Sequence, residues 1–169
     1  MKKITLLIAF IGMITLQSCT VNEVRDDIDN DTISEVFEVT RSFSTGNGFS
    51  TFVDLGTPIY ASDMILVYHL YDVVGGQDVW RLMPQTYYFD NGGELDYNFD
   101  FTQNDVTLFL DANFPLTNLD FSWTQNQTFR IVIIPGYLSN RMSTQVDFSD
   151  FDAVLKMNNL KESNIKKIP

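Results

Sequence analysis

The sequence predicts a mainly β protein: an antiparallel two-layer β-sandwich of Ig-like or jelly-roll topology with a short C-terminal helix. Three observations carry that expectation. Between residues 34 and 134 the apolar residues recur with period two or in short unbroken runs, where a helix would need a period of 3.6. The pairs Gly75-Gly76 and Gly92-Gly93 punctuate those runs at hairpin spacing. Ahead of the tail there is no strand-helix-strand alternation of the kind that builds a parallel sheet, and no internal repeat.

Residues 34–43 and 49–55 carry Val36, Phe37, Val39, Phe43, Phe52 and Val53 around the turn residues Ser44, Gly46, Asn47 and Gly48, and are expected to pair with each other. Residues 64–74 are apolar on both parities, Met64, Leu66, Tyr68 and Leu70 against Ile65, Val67, Tyr71 and Val73, as in a strand covered on both faces. The Gly75-Gly76 turn returns the chain through 78–83, and Pro84 ends that strand. Residues 85–90 and 94–102 flank Asn91, Gly92 and Gly93 as another hairpin. Its second arm alternates Leu95, Tyr97, Phe99 and Phe101 with Glu94, Asp96, Asn98 and Asp100, giving one apolar and one acidic face. Strands at 106–112 and 128–134 follow across a long connection, 113–126, and Phe129, Ile131, Val132, Ile133 and Ile134 again suggest burial on both sides.

The tail changes period. Phe148, Phe151, Val154 and Leu155 fall at helical spacing, so a short amphipathic helix is expected over 149–159, capped by Ser149, with Asp150 and Asp152 in its first turn. It should lie across an open end or face of the sheets. Residues 165–168 are expected to add an edge strand whose Lys166 and Lys167 discourage further pairing.

The N-terminal end sets the domain organisation. Lys2 and Lys3 precede an uncharged, mostly apolar stretch, 4–16, followed by Gln17, Ser18 and Cys19. Thirteen residues are too few for a membrane-spanning helix, which takes ~20, whereas basic start, apolar run and small residue are the order of an export leader. Leu16, Ser18 and Cys19 resemble the bacterial lipobox, in which the cysteine thiol receives diacylglycerol before cleavage. Gln17 departs from the small or aliphatic residue usual there. Cys19 is the only cysteine, so it has no internal disulfide partner. Residues 20–31 are polar, with Glu23, Asp26, Asp27, Asp29 and Asp31. The expected organisation is a lipoprotein signal peptide at 1–18, an acidic tether at 19–32 and a β-sandwich domain at 33–169. The membrane is then a partner through the lipid on Cys19, and the location is the outer membrane, on its periplasmic or its surface face.

Loss of residues 1–18 lowers Lys plus Arg from 11 to 9 against 22 Asp plus Glu, which brings the net charge to −13 over 151 residues. Such a charge disfavours phosphate backbones, so no nucleic-acid partner is expected, and it suits an exported protein that must stay soluble. Asp27, Asp29 and Asp31 alternate as in a calcium loop, but the turn glycine and the later bidentate Glu are missing, and no metal is expected. Asp31, Thr32 and Ile33 resemble the Asp, Ser/Thr, aliphatic sequon of Bacteroidota protein O-glycosylation, which makes Thr32 a candidate for modification at the junction of tether and domain.

For catalysis the inventory is thin. His69, the only histidine, falls in a strand read as covered on both faces, the place of a hydrogen-bonded core histidine rather than a general base. There is no glycine-flanked serine elbow and no phosphate loop. Asp96 and Asp100 share a strand face as a hydrolytic carboxylate pair could, but with no histidine near them in sequence a solvated outer face is the favoured reading. No catalytic residue, cofactor or enzymatic activity is therefore expected. Trp80, just after a hairpin turn, and Trp123, in an amide-rich loop with Gln125 and Asn126, are the candidate ligand or partner contacts. An indole beside amides can stack on a sugar ring or anchor a protein, or else plug the end of the core. A protein or glycan partner is the expectation, and a purely structural envelope role the alternative.

Residues 64–136 carry a further likeness. The strand 67–71, the turn with Gly75, Gly76, Asp78 and Trp80, the run 84–89, and 124–129 leading to Pro135 and Gly136 resemble a family of small Bacteroidota lipoproteins of unknown function. Some of its members carry a collagen-like Gly-Pro stretch after the lipidated cysteine, where this chain has 22–31. The resemblance covers about half the chain and implies a location and an architecture, without an activity.

Overall fold

A computed structural model describes residues 34–136 and 146–169. The expectations at Cys19, at Asp27, Asp29 and Asp31, and at Thr32 lie outside the described residues.

The strands are β1 (Glu35–Arg41), β2 (Ser50–Asp54), β3 (Met64–Val74), β4 (Gln77–Leu82), β5 (Gln85–Tyr88), β6 (Glu94–Phe101), β7 (Asp105–Ala112), β8 (Gln127–Ile134) and β9 (Lys166–Ile168). Among the described residues they are accompanied by the short helices α1 (Phe121–Thr124) and α2 (Phe151–Met157). One sheet has the order β4-β3-β8-β1-β9 and the other β2-β7-β6-β5. The architecture is a β-sandwich.

Alternation along the strands decides what lies between the sheets. One parity of β1, β3 and β8, including Phe37, Val67, Phe129 and Ile131, meets Val53, Tyr87, Leu95, Tyr97 and Leu108 of the other sheet in the central core. The opposite parity of the same three strands is buried as well. Val36, Leu66, Tyr68, Val132 and Ile134 pack beneath Phe151, Val154 and Leu155 of α2. The helix thus covers the outer face of the five-stranded sheet and explains why β8 is apolar on both parities. The Tyr68 hydroxyl donates to the Phe148 carbonyl at 2.6 Å, fixing the segment that leads into α2.

The hairpins β3-β4 and β5-β6 form as the glycine pairs predict. Four details depart from expectation. β1 and β2 do not pair: β1 lies between β8 and β9, and β2 pairs with β7 in the other sheet. The Ser44–Gly48 turn is a 3₁₀ turn, Thr45–Asn47, tied by Asn47 to the Ser44 amide and the Ser42 carbonyl, and it hands the chain from one sheet to the other. Only the first half of β3 is covered on both faces. Beyond His69 it pairs with β4 alone, and 71–78 stand exposed. Asp150 rather than Ser149 caps α2, accepting from the Ala153 amide at 3.0 Å, because the Ser149 amide and hydroxyl are both taken by Asp147. Finally, β9 is the expected edge strand but runs parallel to β1, held by Lys166 on Glu35 at 2.7 Å and Lys167 on Glu38 at 2.8 Å.

Gly136 closes the end of β8 against the preceding loop. Its amide donates to Asp63 Oδ1 at 3.0 Å, and a Cβ there would lie 2.5 Å from the Ser62 carbonyl oxygen. Gly136→Ala is accordingly expected to destabilise the domain by roughly 1–3 kcal/mol. Urea unfolding curves that superimpose for the two proteins would show that the Ser62 backbone gives way freely.

Candidate functional site

Three connections gather at one end of the sandwich: the 3₁₀ turn after β1, the β5-β6 turn and the long β7-β8 connection. The antiparallel register brings them there, since Leu95 stands opposite Ala112 and Arg41 opposite Gln127. Between the last two connections a cleft of about 330 Å³ opens, lined by Phe89, Asn91, Phe114, Asn118, Leu119, Asp120 and Trp123. That volume is at the small end of the ~300–1,000 Å³ typical of ligand sites.

Each wall has a local cause. Asn91 Oδ1 accepts from the Gly93 amide and shapes the β5-β6 turn. Gly93 is bare because a Cβ there would come within 3.1 Å of the Phe114 ring, so the ring rests against backbone. Asp120 caps α1 by accepting from the Ser122 amide at 2.8 Å, and α1 in turn presents Trp123. The bonds from Ser122 hold the Asp120 carboxyl below its ordinary range, so it is ionised near neutrality. Phe89 packs edge-on against Phe114 (centroids 5.7 Å apart) and against Trp123 (5.2 Å).

Beneath the cleft lies a polar network set in aromatic rings. Gln127 Nε2 donates to the carbonyls of Ser122 (2.9 Å) and Gln125 (2.8 Å), which leaves its Oε1 as acceptor. His69 Nε2 donates to that oxygen at 2.9 Å, and the tautomer so fixed lets Nδ1 accept from the Tyr87 hydroxyl at 3.0 Å. The imidazole is stacked between Tyr97 at 4.4 Å and Phe129 at 5.0 Å. Tyr97 donates to the Trp123 carbonyl, and the Tyr87 ring meets the Trp123 indole at 5.1 Å. The two loop carbonyls, the Trp123 backbone and its ring are thus all held from below by His69, Gln127, Tyr87 and Tyr97.

Burial pushes the His69 pKa down to about 4, with Arg81 adding to the effect and the bond to Gln127 opposing it. Burial likewise pushes the Tyr87 phenol up to about 12 and raises that of Tyr97. At neutral pH the three groups are uncharged and mutually satisfied. With both ring nitrogens engaged, His69 is placed as a core support.

The two tryptophans lie in different layers. Trp123 lines the cleft, whereas Trp80 is on the outer face of the five-stranded sheet, against Phe151 and 4.0 Å beneath the Arg130 guanidinium. Arg130 is itself 5 % exposed; its Nε donates to Glu38 at 3.1 Å and its Nη1 to Glu162 at 2.8 Å, and Asp78 stands 3.9 Å from Nη2. Burial alone would raise the Glu38 carboxyl, but the bonds from Lys167 and Arg130 outweigh it and hold the group ionised, below its ordinary range. Asp96 and Asp100 stand on the outer parity of β6. Asp96 accepts from Thr86 on the neighbouring strand and lies opposite Asp111, and Asp100 is exposed.

Trp123 is the one cleft residue singled out from sequence. Phe89, Asn91, Phe114, Asn118, Leu119 and Asp120 come from a turn and a connection that are well separated along the chain and are brought together by the β6-β7 register. The signal available was the concentration of Phe, Leu, Asn and Trp in a connection too long for a simple hairpin. Comparison with family models, with curated proteins and with solved structures gives no match to this chain.

Proposed function

We propose that the chain is an outer-membrane lipoprotein, anchored through Cys19, whose β-sandwich is a non-enzymatic binding module with its ligand site in the cleft at Trp123. The observation that carries this reading is the aromatic cleft itself, three rings and an ionised carboxylate braced from beneath by a fully satisfied network. A site built on rigid support is what specific binding requires. The basic, apolar, serine, cysteine order at 2–19 supports the anchoring, and the likeness of 64–136 to small Bacteroidota lipoproteins agrees with it. The non-enzymatic reading is supported by His69, whose two nitrogens are both committed inside the core.

Two experiments test the parts separately. Cells fed a palmitate analogue should label the wild-type protein and leave Cys19→Ser unlabelled; equal labelling of both would remove the anchor. For binding, a fragment library screened against the full-length protein by NMR should yield compounds that shift the Trp123 indole. A library that leaves that resonance unmoved would favour a purely structural envelope role.

A further inference from the structure

The shape and charge of the cleft select among ligand classes. Phe89 meets Phe114 at an interplanar angle of 78° and Trp123 at 76°, so the wall is concave. Trp123 also meets Tyr87 steeply, at 65°. A sugar ring stacks best on one flat, open platform, whereas steeply inclined rings surround a compact group from several sides. Ring faces carry partial negative charge and draw in cations held within ~6 Å, and groups of aromatic side chains are the usual receptors for methylated ammonium ions.

The charges point the same way. Asp120 is the one charged residue among those lining the cleft, and no Lys, Arg or His joins it. Two arginines of the described fold are committed elsewhere, Arg81 lying 3.3 Å over the Tyr71 ring and Arg130 on Trp80. The whole chain, at a net charge of −11, adds a field of the same sign. Asn91 and Asn118 add neutral polar groups to the lining, suited to a hydroxyl or an ester on the same ligand.

Taking the cleft as a binding site, as proposed above, we infer that it receives a small organic cation bearing an alkylated ammonium, with Phe89, Phe114 and Trp123 around the alkyl groups and Asp120 as counter-charge.

The test uses full-length protein in polyoxyethylene-ether micelles, a detergent with neither sugar nor ammonium. The probes are tetramethylammonium, choline, 3,3-dimethylbutanol as the uncharged carbon isostere of choline, and methyl glucoside, each titrated against the Trp123 indole resonance. Choline and tetramethylammonium should bind, with the isostere roughly tenfold weaker. Asp120→Asn keeps the helix cap and removes the charge, and should weaken choline roughly fivefold while leaving the isostere unchanged. Phe114→Leu keeps apolar bulk without a ring and should reduce the preference for choline over its isostere by roughly twofold, the part due to Asp120 remaining. Equal affinity for choline and its isostere in the wild type would overturn the inference in favour of simple apolar filling. If the glucoside or library fragments shift Trp123 and the cations do not, the inference falls while the binding reading stands. If no probe or fragment moves the resonance in protein with an unchanged melting temperature, both fall.

Discussion

Replacing Arg130 by alanine is expected to lower the stability of the domain by roughly 3–5 kcal/mol, the range found when one partner of a buried ion cluster is removed. Arg130 is 5 % exposed and ties together several elements: Glu38 on β1, Glu162 in the turn before β9, and the adjoining rings of Trp80 and Phe151, which both meet the guanidinium. The alanine variant leaves Glu38, whose side chain is only 14 % exposed, with Lys167 as its remaining partner, and it opens a void beside two aromatic rings. Arg130→Met refills the void without restoring charge, so it should recover part of the loss. Because Glu162 and Lys167 both belong to the tail, amide exchange along β9 should accelerate more than along β3. A melting temperature within ~3 °C of wild type for the alanine variant would show that water enters and solvates Glu38 at little cost.

Acid should destabilise the protein through His69 before most carboxylates titrate. The folded-state pKa, about 4, lies below the ordinary 6.5, so the unfolded chain binds the proton first. The stabilisation from a neutral His69 is therefore complete above pH ~6.5 and is lost as the pH falls toward 4. The whole difference amounts to roughly 3 kcal/mol, with about 2 kcal/mol gone by pH 5. The geometry explains the resistance to protonation: a charged ring would have to donate from both nitrogens, while Nδ1 here accepts from Tyr87. His69→Gln should be less stable than wild type at pH 7 yet lose less between pH 6.5 and 5. Parallel losses in the two proteins over that interval would assign the acid sensitivity to other groups.

How much of this was readable in the sequence depends on the range of the interaction. Signals spanning a few residues were legible: the hairpins at Gly75-Gly76 and Gly92-Gly93, the alternation of β6, and the helical spacing of Phe151, Val154 and Leu155. The two-faced apolarity of β8 suggested burial on both sides, and α2 covers its outer face. Sheet membership was not legible. Ser44, Gly46, Asn47 and Gly48 are turn formers whether a chain folds back on its own sheet or crosses to the facing one. The choice fell to β8, which offered β1 a longer apolar partner. The candidate site was legible at one point only. Trp123 could be named, but its companions Phe89 and Phe114 meet it through register set elsewhere, and Gln127 reaches His69 across 58 residues of sequence. Trp80 looked equivalent to Trp123 by composition, and what separated them was Arg130, which no local pattern ties to either.

The polarity of β1 has a mechanical consequence. The described chain enters the sheet at Ser34, next to the Ile133 end of β8, whereas the cleft-bearing connection leads into Gln127, opposite Arg41. Entry point and cleft are at opposite ends of the same strand pair. If the chain is anchored through Cys19 and holds a ligand at Trp123, as proposed, tension between the two would load the domain lengthwise along these strands. β1 is gripped on both sides, over seven register pairs by β8 and three by β9. Pulled along its axis, it loads those hydrogen bonds together, in shear, instead of peeling them one after another, and that is the direction in which a sheet resists force best.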